Sequence, residues 1–119
     1  MHELGIAQSI FDLVAETIAP GDLAAVRVIR LTLGPLSGVE RDSLEFCFSA
    51  IVEGTDLSNA HLAIDAPPLR GRCAACTTTS ELAQITLHCP ACGQAPLSLE
   101  GGDELAVTSI ELDDPVEAR

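Results

Sequence analysis

Four cysteines stand in two short pairs, Cys73-Ala74-Ala75-Cys76 and Cys89-Pro90-Ala91-Cys92, with twelve residues between the pairs. A CxxC turn points both thiols to one side. Two such turns can therefore place four sulfurs about 2.3 Å from a single ion. The spacing reads as a tetrahedral metal site. Pro90 fixes φ inside the second turn, and Gly93 supplies the positive φ that closes a knuckle. Two disulfides or four free thiols are the alternative uses, and a reducing compartment disfavours the disulfides. Four thiolates leave no position for water or substrate, so such a site is structural. The fifth cysteine, Cys47, reads as a small core residue.

His2 is the second residue with chemistry to offer. A free terminal amine, the next backbone amide and an imidazole at position 2 can close fused chelate rings on one ion. An all-nitrogen set of that kind suits a square-planar ion, Ni(II) or Cu(II). The competing reading is an exposed, idle terminal histidine. His88, just before the second knuckle, is a spare imidazole that reads as a solvated hairpin residue, and His61 reads as structural.

The composition bounds what these residues can serve. The chain has 119 residues, 47% of them apolar, which is enough to bury the core of one domain, or of one small domain carrying an insert. Its only aromatics are three Phe, so Leu, Ile, Val and Ala must fill that core. It has no Lys, and its formal net charge is −12. A surface this negative repels phosphate backbones, so nucleic acid is not expected as a partner. Neither a secretory leader nor a run of membrane-spanning length is visible, which makes a cytoplasmic protein without a membrane partner the expectation.

The elements that must position the two sites follow from periodicity. Leu4, Ala7, Ile10, Phe11, Val14 and Ile18 form one helical stripe, ended by Pro20-Gly21. Residues 26–33 read as a strand whose apolar parity shifts, implying a bulge or burial on both faces. Asp42 or Ser43 should cap a second helix with Leu44, Cys47, Phe48, Ile51 and Val52 inward, stopped at Gly54. Leu62, Ile64 and Ala66 alternate as a second strand, ended by Pro67-Pro68. Between the knuckles, Leu82, Ile85 and Leu87 suggest a short hairpin. Gly101-Gly102 then hinges into a third long strand over 105–112, followed by an acidic tail. The expected fold is α+β: a small three-stranded sheet packed with two helices, with an inserted zinc-ribbon-like module carrying the four paired cysteines. The body is expected to be discontinuous, 1–67 plus 100–119, with the metal-binding insert at 68–99. So few apolar residues lie in the insert that the metal must contribute much of its folding free energy.

Met1-His2-Glu3-Leu4, Leu33-Gly34-Pro35-Leu36-Ser37-Gly38-Val39-Glu40, Ser43-Leu44-Glu45-Phe46-Cys47-Phe48 and the paired CxxC turns together resemble the HypA/HybF family of hydrogenase-maturation nickel metallochaperones. The match runs in order over nearly the whole chain. The resemblance implies a nickel site on the Met1 amine and backbone with His2, a role for Glu3 nearby, and an acidic residue at the position of Glu40. It also implies structural zinc on Cys73, Cys76, Cys89 and Cys92. Glu3 and Glu40 read equally as solvated carboxylates on the residues alone.

The resemblance thus implies a non-enzymatic carrier of Ni(II), working with an accessory GTPase to load the large subunit of nickel-iron hydrogenase. The alternative is a zinc-ribbon adaptor with no transported metal. A rubredoxin-like iron site is a third reading, but Thr77 stands where that pattern has Gly and no aromatic shields the site. No nucleophile–base pair and no open metal position suggest an enzyme.

Overall fold

The computed structural model describes residues 2–82, 86–94 and 96–113. The order of elements is helix α1 (Glu3–Thr17), a short 3₁₀ turn (Pro20–Ala25), strand β1 (Val26–Leu33), helix α2 (Arg41–Val52), then strands β2 (His61–Asp65), β3 (Leu69–Cys73), β4 (Thr79–Leu82), β5 (Leu97–Glu100) and β6 (Leu105–Leu112). Strands β2-β1-β6 form one sheet and β4-β3-β5 a second. The chain divides into two compact units. The first holds residues 1–31, 39–65 and 106–119; the second holds residues 32–38 and 66–105.

In the first unit α1 packs on α2, and α2 packs on β2. Ala7, Ile10 and Val14 of α1 are buried, as are Leu44, Phe48 and Val52 of α2. These are the three-and-four steps that turn one helical face inward. The stripe of α1 frays at its start, where Leu4 is 59% exposed. Cys47 is only half-buried, not the core residue expected. The parity shift in β1 is real: Val26, Ile29, Leu31 and Leu33 are buried while Arg30 is exposed. As the central strand of its sheet, β1 can bury apolar residues of both parities. Arg27 pairs with Asp113 at 2.6 Å, and Arg30 with Glu111 at 2.6 Å.

The cap of α2 differs from the expectation. Neither Asp42 nor Ser43 caps it; Glu40 does, its carboxylate accepting from the N–H groups of Asp42 (3.2 Å) and Ser43 (2.7 Å). Glu is an unusual N-cap, but its longer side chain can fold back onto the first turn while the backbone stays extended. That contact satisfies two of the donors a helix leaves open at its start.

The second unit contains a sheet that the apolar pattern between the knuckles did not suggest. Of the residues expected to form a hairpin there, Leu82 lies in β4, which pairs with β3, Leu69 opposite Leu82 and Arg72 opposite Thr79, so this hairpin wraps the first knuckle. Ile85 lies outside the described residues. β5 flanks β3 on the other side, with Cys73 opposite Leu97. The inner face is small but closed: Leu69, Cys73, Leu82, Cys89 and Leu97 are buried together, with Leu36, Cys76 and Leu99 packed against them. Two cysteines of the quartet are therefore core residues as well as candidate ligands.

Leu36 reaches this core through a backbone pairing within the unit. Gly34 N–H donates to Glu104 O at 2.8 Å, and Leu36 N–H donates to Gly102 O. Gly102, at φ +94°, has a backbone that only glycine tolerates easily, and a Cβ there would meet Leu36 and Leu69 at 2.9 Å.

Candidate metal centres

The cysteine centre is built from two copies of one local device. In the first knuckle the Thr77 N–H donates to Cys73 O at 3.1 Å; in the second, Gly93 N–H donates to Cys89 O at 2.7 Å. The residue that closes each knuckle is left-handed, Thr77 at φ 60° and Gly93 at φ 77°. Thr77 thus takes the conformation that the second knuckle assigns to glycine, at some steric cost. Inside each turn, two N–H groups aim at the first sulfur. Ala75 and Cys76 donate to Cys73 Sγ at 3.3 and 3.4 Å, and Ala91 and Cys92 donate to Cys89 Sγ at 3.3 and 3.4 Å. Such donors favour the charged form of the sulfur.

The two knuckles face each other. Cys73 Sγ lies 3.7 Å from Cys92 Sγ, and Cys76 Sγ lies 3.7 Å from Cys89 Sγ. All four sulfurs are within 4.8 Å of one another. A tetrahedron with 2.3 Å metal–sulfur bonds has edges of about 3.8 Å. The donor set and its spacing therefore fit a tetrathiolate ion such as zinc, and no fifth ligand atom of His, Asp or Glu joins the group among the described residues. The sulfurs are electrostatically unequal. Donation from the Thr78 hydroxyl and then its N–H lowers the Cys76 pKa to about 6. The Cys73 pKa is raised: the Cys76 N–H favours its thiolate, but burial and its own hydrogen bonds as donor to Cys76 and Cys92 outweigh that help. Thr78 was not singled out in the sequence, where a hydroxyl two residues past a CxxC carries no distinctive signal.

The N-terminal residues sit at the start of α1. His2 is exposed and is the N-cap, with extended backbone (φ −92°, ψ 108°) and no side-chain cap bond. Its carbonyl accepts from Ile6 N–H at 3.2 Å, while its imidazole is not used for capping. Glu3 is brought to Glu40: the Glu40 N–H donates to Glu3 Oε2 at 2.9 Å. That bond is the main reason the Glu3 pKa lies below the ordinary carboxylate range. The Glu40 pKa is lowered as well, first by the Ser43 N–H. The side chain of Glu40 is thus engaged with the helix start, and its backbone anchors Glu3. Met1 lies outside the described residues. His88 is exposed, its neighbourhood held by a bridge to Pro96, and its imidazole is not among the clustered ligand atoms. His61 is exposed at the start of β2.

Residues 1–112 match a family model described as "Hydrogenase/urease nickel incorporation, metallochaperone, hypA". The chain belongs to the HypA family. Curated relatives named hydrogenase maturation factor HypA agree. The one from Methylocella silvestris is 39% identical over 95% of this chain and 100% of its own length, and the one from Chlorobaculum parvum is 41% identical over the same shares. The one from Streptomyces avermitilis is 40% identical over 96% of this chain and 88% of its length. The fold is shared with the solution structure of the Ni metallochaperone HypA from Helicobacter pylori, at TM-score 0.60 and 18% identity, covering 94% of this chain and 97% of that one. A second solution structure of a HypA protein gives TM-score 0.64 at 18% identity, over 94% and 96% of the two chains. The family is thus one of metallochaperones and maturation factors, named for nickel incorporation and not for a catalytic activity.

Proposed function

We propose that this protein is a non-enzymatic nickel metallochaperone that binds Ni(II) at its N-terminus and helps insert it into the large subunit of nickel-iron hydrogenase. The observation that supports this most is the pairing of two unlike sites in a HypA family member. One is a closed four-sulfur centre with no open position; the other is an exposed imidazole at the first helix start. The sulfur centre holds zinc and keeps the second unit folded. The Met1 amine, the backbone nitrogens and the His2 ring bind nickel in a plane. Glu3, fixed by the Glu40 N–H, orients the chain at the site, and Glu40 contributes through that bond.

Release is as necessary to a carrier as capture. Nitrogen ligands must shed protons to bind, so protons compete with the metal, and the exposed His2 allows a receiving site to approach. The partners on this reading are an accessory GTPase and the hydrogenase large subunit, met in the cytoplasm. No helix among the described residues is long and apolar enough to cross a membrane. Functionally, residues 1–67 with 100–119 would serve nickel and residues 68–99 would serve zinc. Complementation tests this reading. In a host lacking its own copy, the wild-type gene should restore hydrogenase activity at low nickel, while His2→Ala should not unless nickel is supplied in excess. Full restoration by His2→Ala at low nickel would favour an adaptor that carries no metal.

A further inference from the structure

Arginine is the only residue type besides histidine that brings positive charge to this chain, and most of its described copies are paired. Arg27, Arg30, Arg41 and Arg70 lie within ion-pair reach of Asp113, Glu111, Glu45 and Glu81. Arg72 has no such partner among the described residues. It lies on the central strand of the second sheet, next in sequence to Cys73. Its cross-strand neighbours are Thr79 and Ser98, two hydroxyls, whereas Arg70 stands between Glu81 and Glu100. The Arg70 pair therefore presents little net field. Arg72, next in sequence to the buried Cys73, presents a positive charge with no ion-pair partner among the described residues.

We infer that Arg72 is a charge-compensating residue for the metal centre, raising its affinity for zinc through the field and not by ligation. This rests on the reading of the centre as a zinc tetrathiolate. A loaded centre of four thiolates and one dication carries two excess negative charges. In a chain of net charge −12, the field of the whole chain opposes that negative charge. Within the second unit, Glu81, Glu100, Asp103 and Glu104 add to the opposition. A cation on the residue before Cys73 is the local term of the opposite sign. Arg72 is exposed and its side chain lies on the outer face of the sheet, so it acts without entering the core or touching sulfur.

Competition of the full-length protein against a chromogenic zinc chelator tests this. Arg72→Gln should lower apparent zinc affinity on the order of fivefold at low ionic strength. The loss should shrink below about twofold at 1 M salt, where the screening length is about 3 Å. Arg72→Lys should stay near wild type, because it keeps the charge. The double variant Arg70→Gln, Glu81→Gln, which leaves net charge unchanged, should also stay near wild type. A loss that persists at high salt, or that Arg72→Lys shares, would assign Arg72 a structural role and overturn the inference; so would an unchanged Arg72→Gln. Metal analysis of the same wild-type sample separates the underlying reading, since stoichiometric iron in place of zinc would fail the zinc assignment itself.

Discussion

Three Gly→Ala substitutions should rank in an order that only the structure predicts. At Gly34 an added Cβ would meet Glu104 Oε1 and the Gly102 carbonyl well inside contact distance. The Gly102 obstacle is backbone and cannot rotate away. The change forces apart a pairing that includes Gly34 N–H to Glu104 O and Leu36 N–H to Gly102 O. Two net hydrogen bonds at about 1 kcal/mol each, plus part of the Leu36 packing, set the loss at roughly 2–3 kcal/mol. At Gly38, with φ +77° and open space, only the left-handed backbone is strained, at about 1 kcal/mol. Gly5 has nothing within 4 Å and lies in α1, so Ala there should stabilise by roughly 0.5 kcal/mol. Thermal unfolding converts these to a fall of about 10 °C, a fall of about 4 °C and a small rise, at roughly 4 °C per kcal/mol for a chain this size. The helices lie in the first unit and the cysteine centre in the second. Helical circular dichroism should therefore report Gly5, and zinc release should report Gly34. A Gly34→Ala protein as stable as wild type would refute the close approach of the 34–36 and 102–104 backbones.

Acid should weaken the start of α2. Glu40 and Glu3 both have folded pKa values below 4.5, so their contribution is complete above that pH and is lost as pH falls through the folded values. Wild type should accordingly lose stability more steeply below about pH 4.5 than Glu40→Gln, as read by melting midpoints across an acid series. Equal slopes would remove the charged cap from the account. Chelating the metal, or replacing Cys76 or Cys92 with Ser, should disorder the second unit while leaving the helical signal of the first. Amide NMR spectra check this, and simultaneous collapse of both units would contradict it. At about 150 mM salt the protein should show no micromolar retention of duplex DNA in a gel-shift assay, since its charge opposes the phosphate contacts that supply non-specific affinity.

Much of the first unit was legible because its elements are amphipathic at a single period. The steps from Ala7 to Val14 and from Leu44 to Val52 mark two helices, and residues 26–33 and 105–112 coincide with β1 and β6. The cap of α2 was not legible, because Asp and Ser cap helices far more often than a Glu folding back on its own helix. Nor was the second sheet. Its core draws on Leu69, Leu82 and Leu97, scattered across the insert, and borrows Leu36 from before α2. Alternation in Leu69-Arg70-Gly71-Arg72-Cys73 is the signal that could have revealed β3, since its odd residues are buried and its arginines exposed. The quartet itself was plain in the spacing, but the asymmetry of its sulfurs depends on the Thr78 donors. The contact of Glu3 with the Glu40 N–H joins residues 37 apart, which local patterns cannot display.

The central claim is that nickel binds at the native N-terminus and not at the cysteines. Calorimetric titration of zinc-loaded, untagged protein with Ni(II), with the planar-nickel absorption band followed in parallel, tests it most directly. Wild type should bind nickel with that band. His2→Ala should lose specific binding while keeping its zinc, one residue added ahead of Met1 should be nearly as damaging, and His88→Ala should matter little. Nickel binding that survives His2→Ala but fails in the cysteine variants would place the carrier site at the sulfur centre and contradict the account.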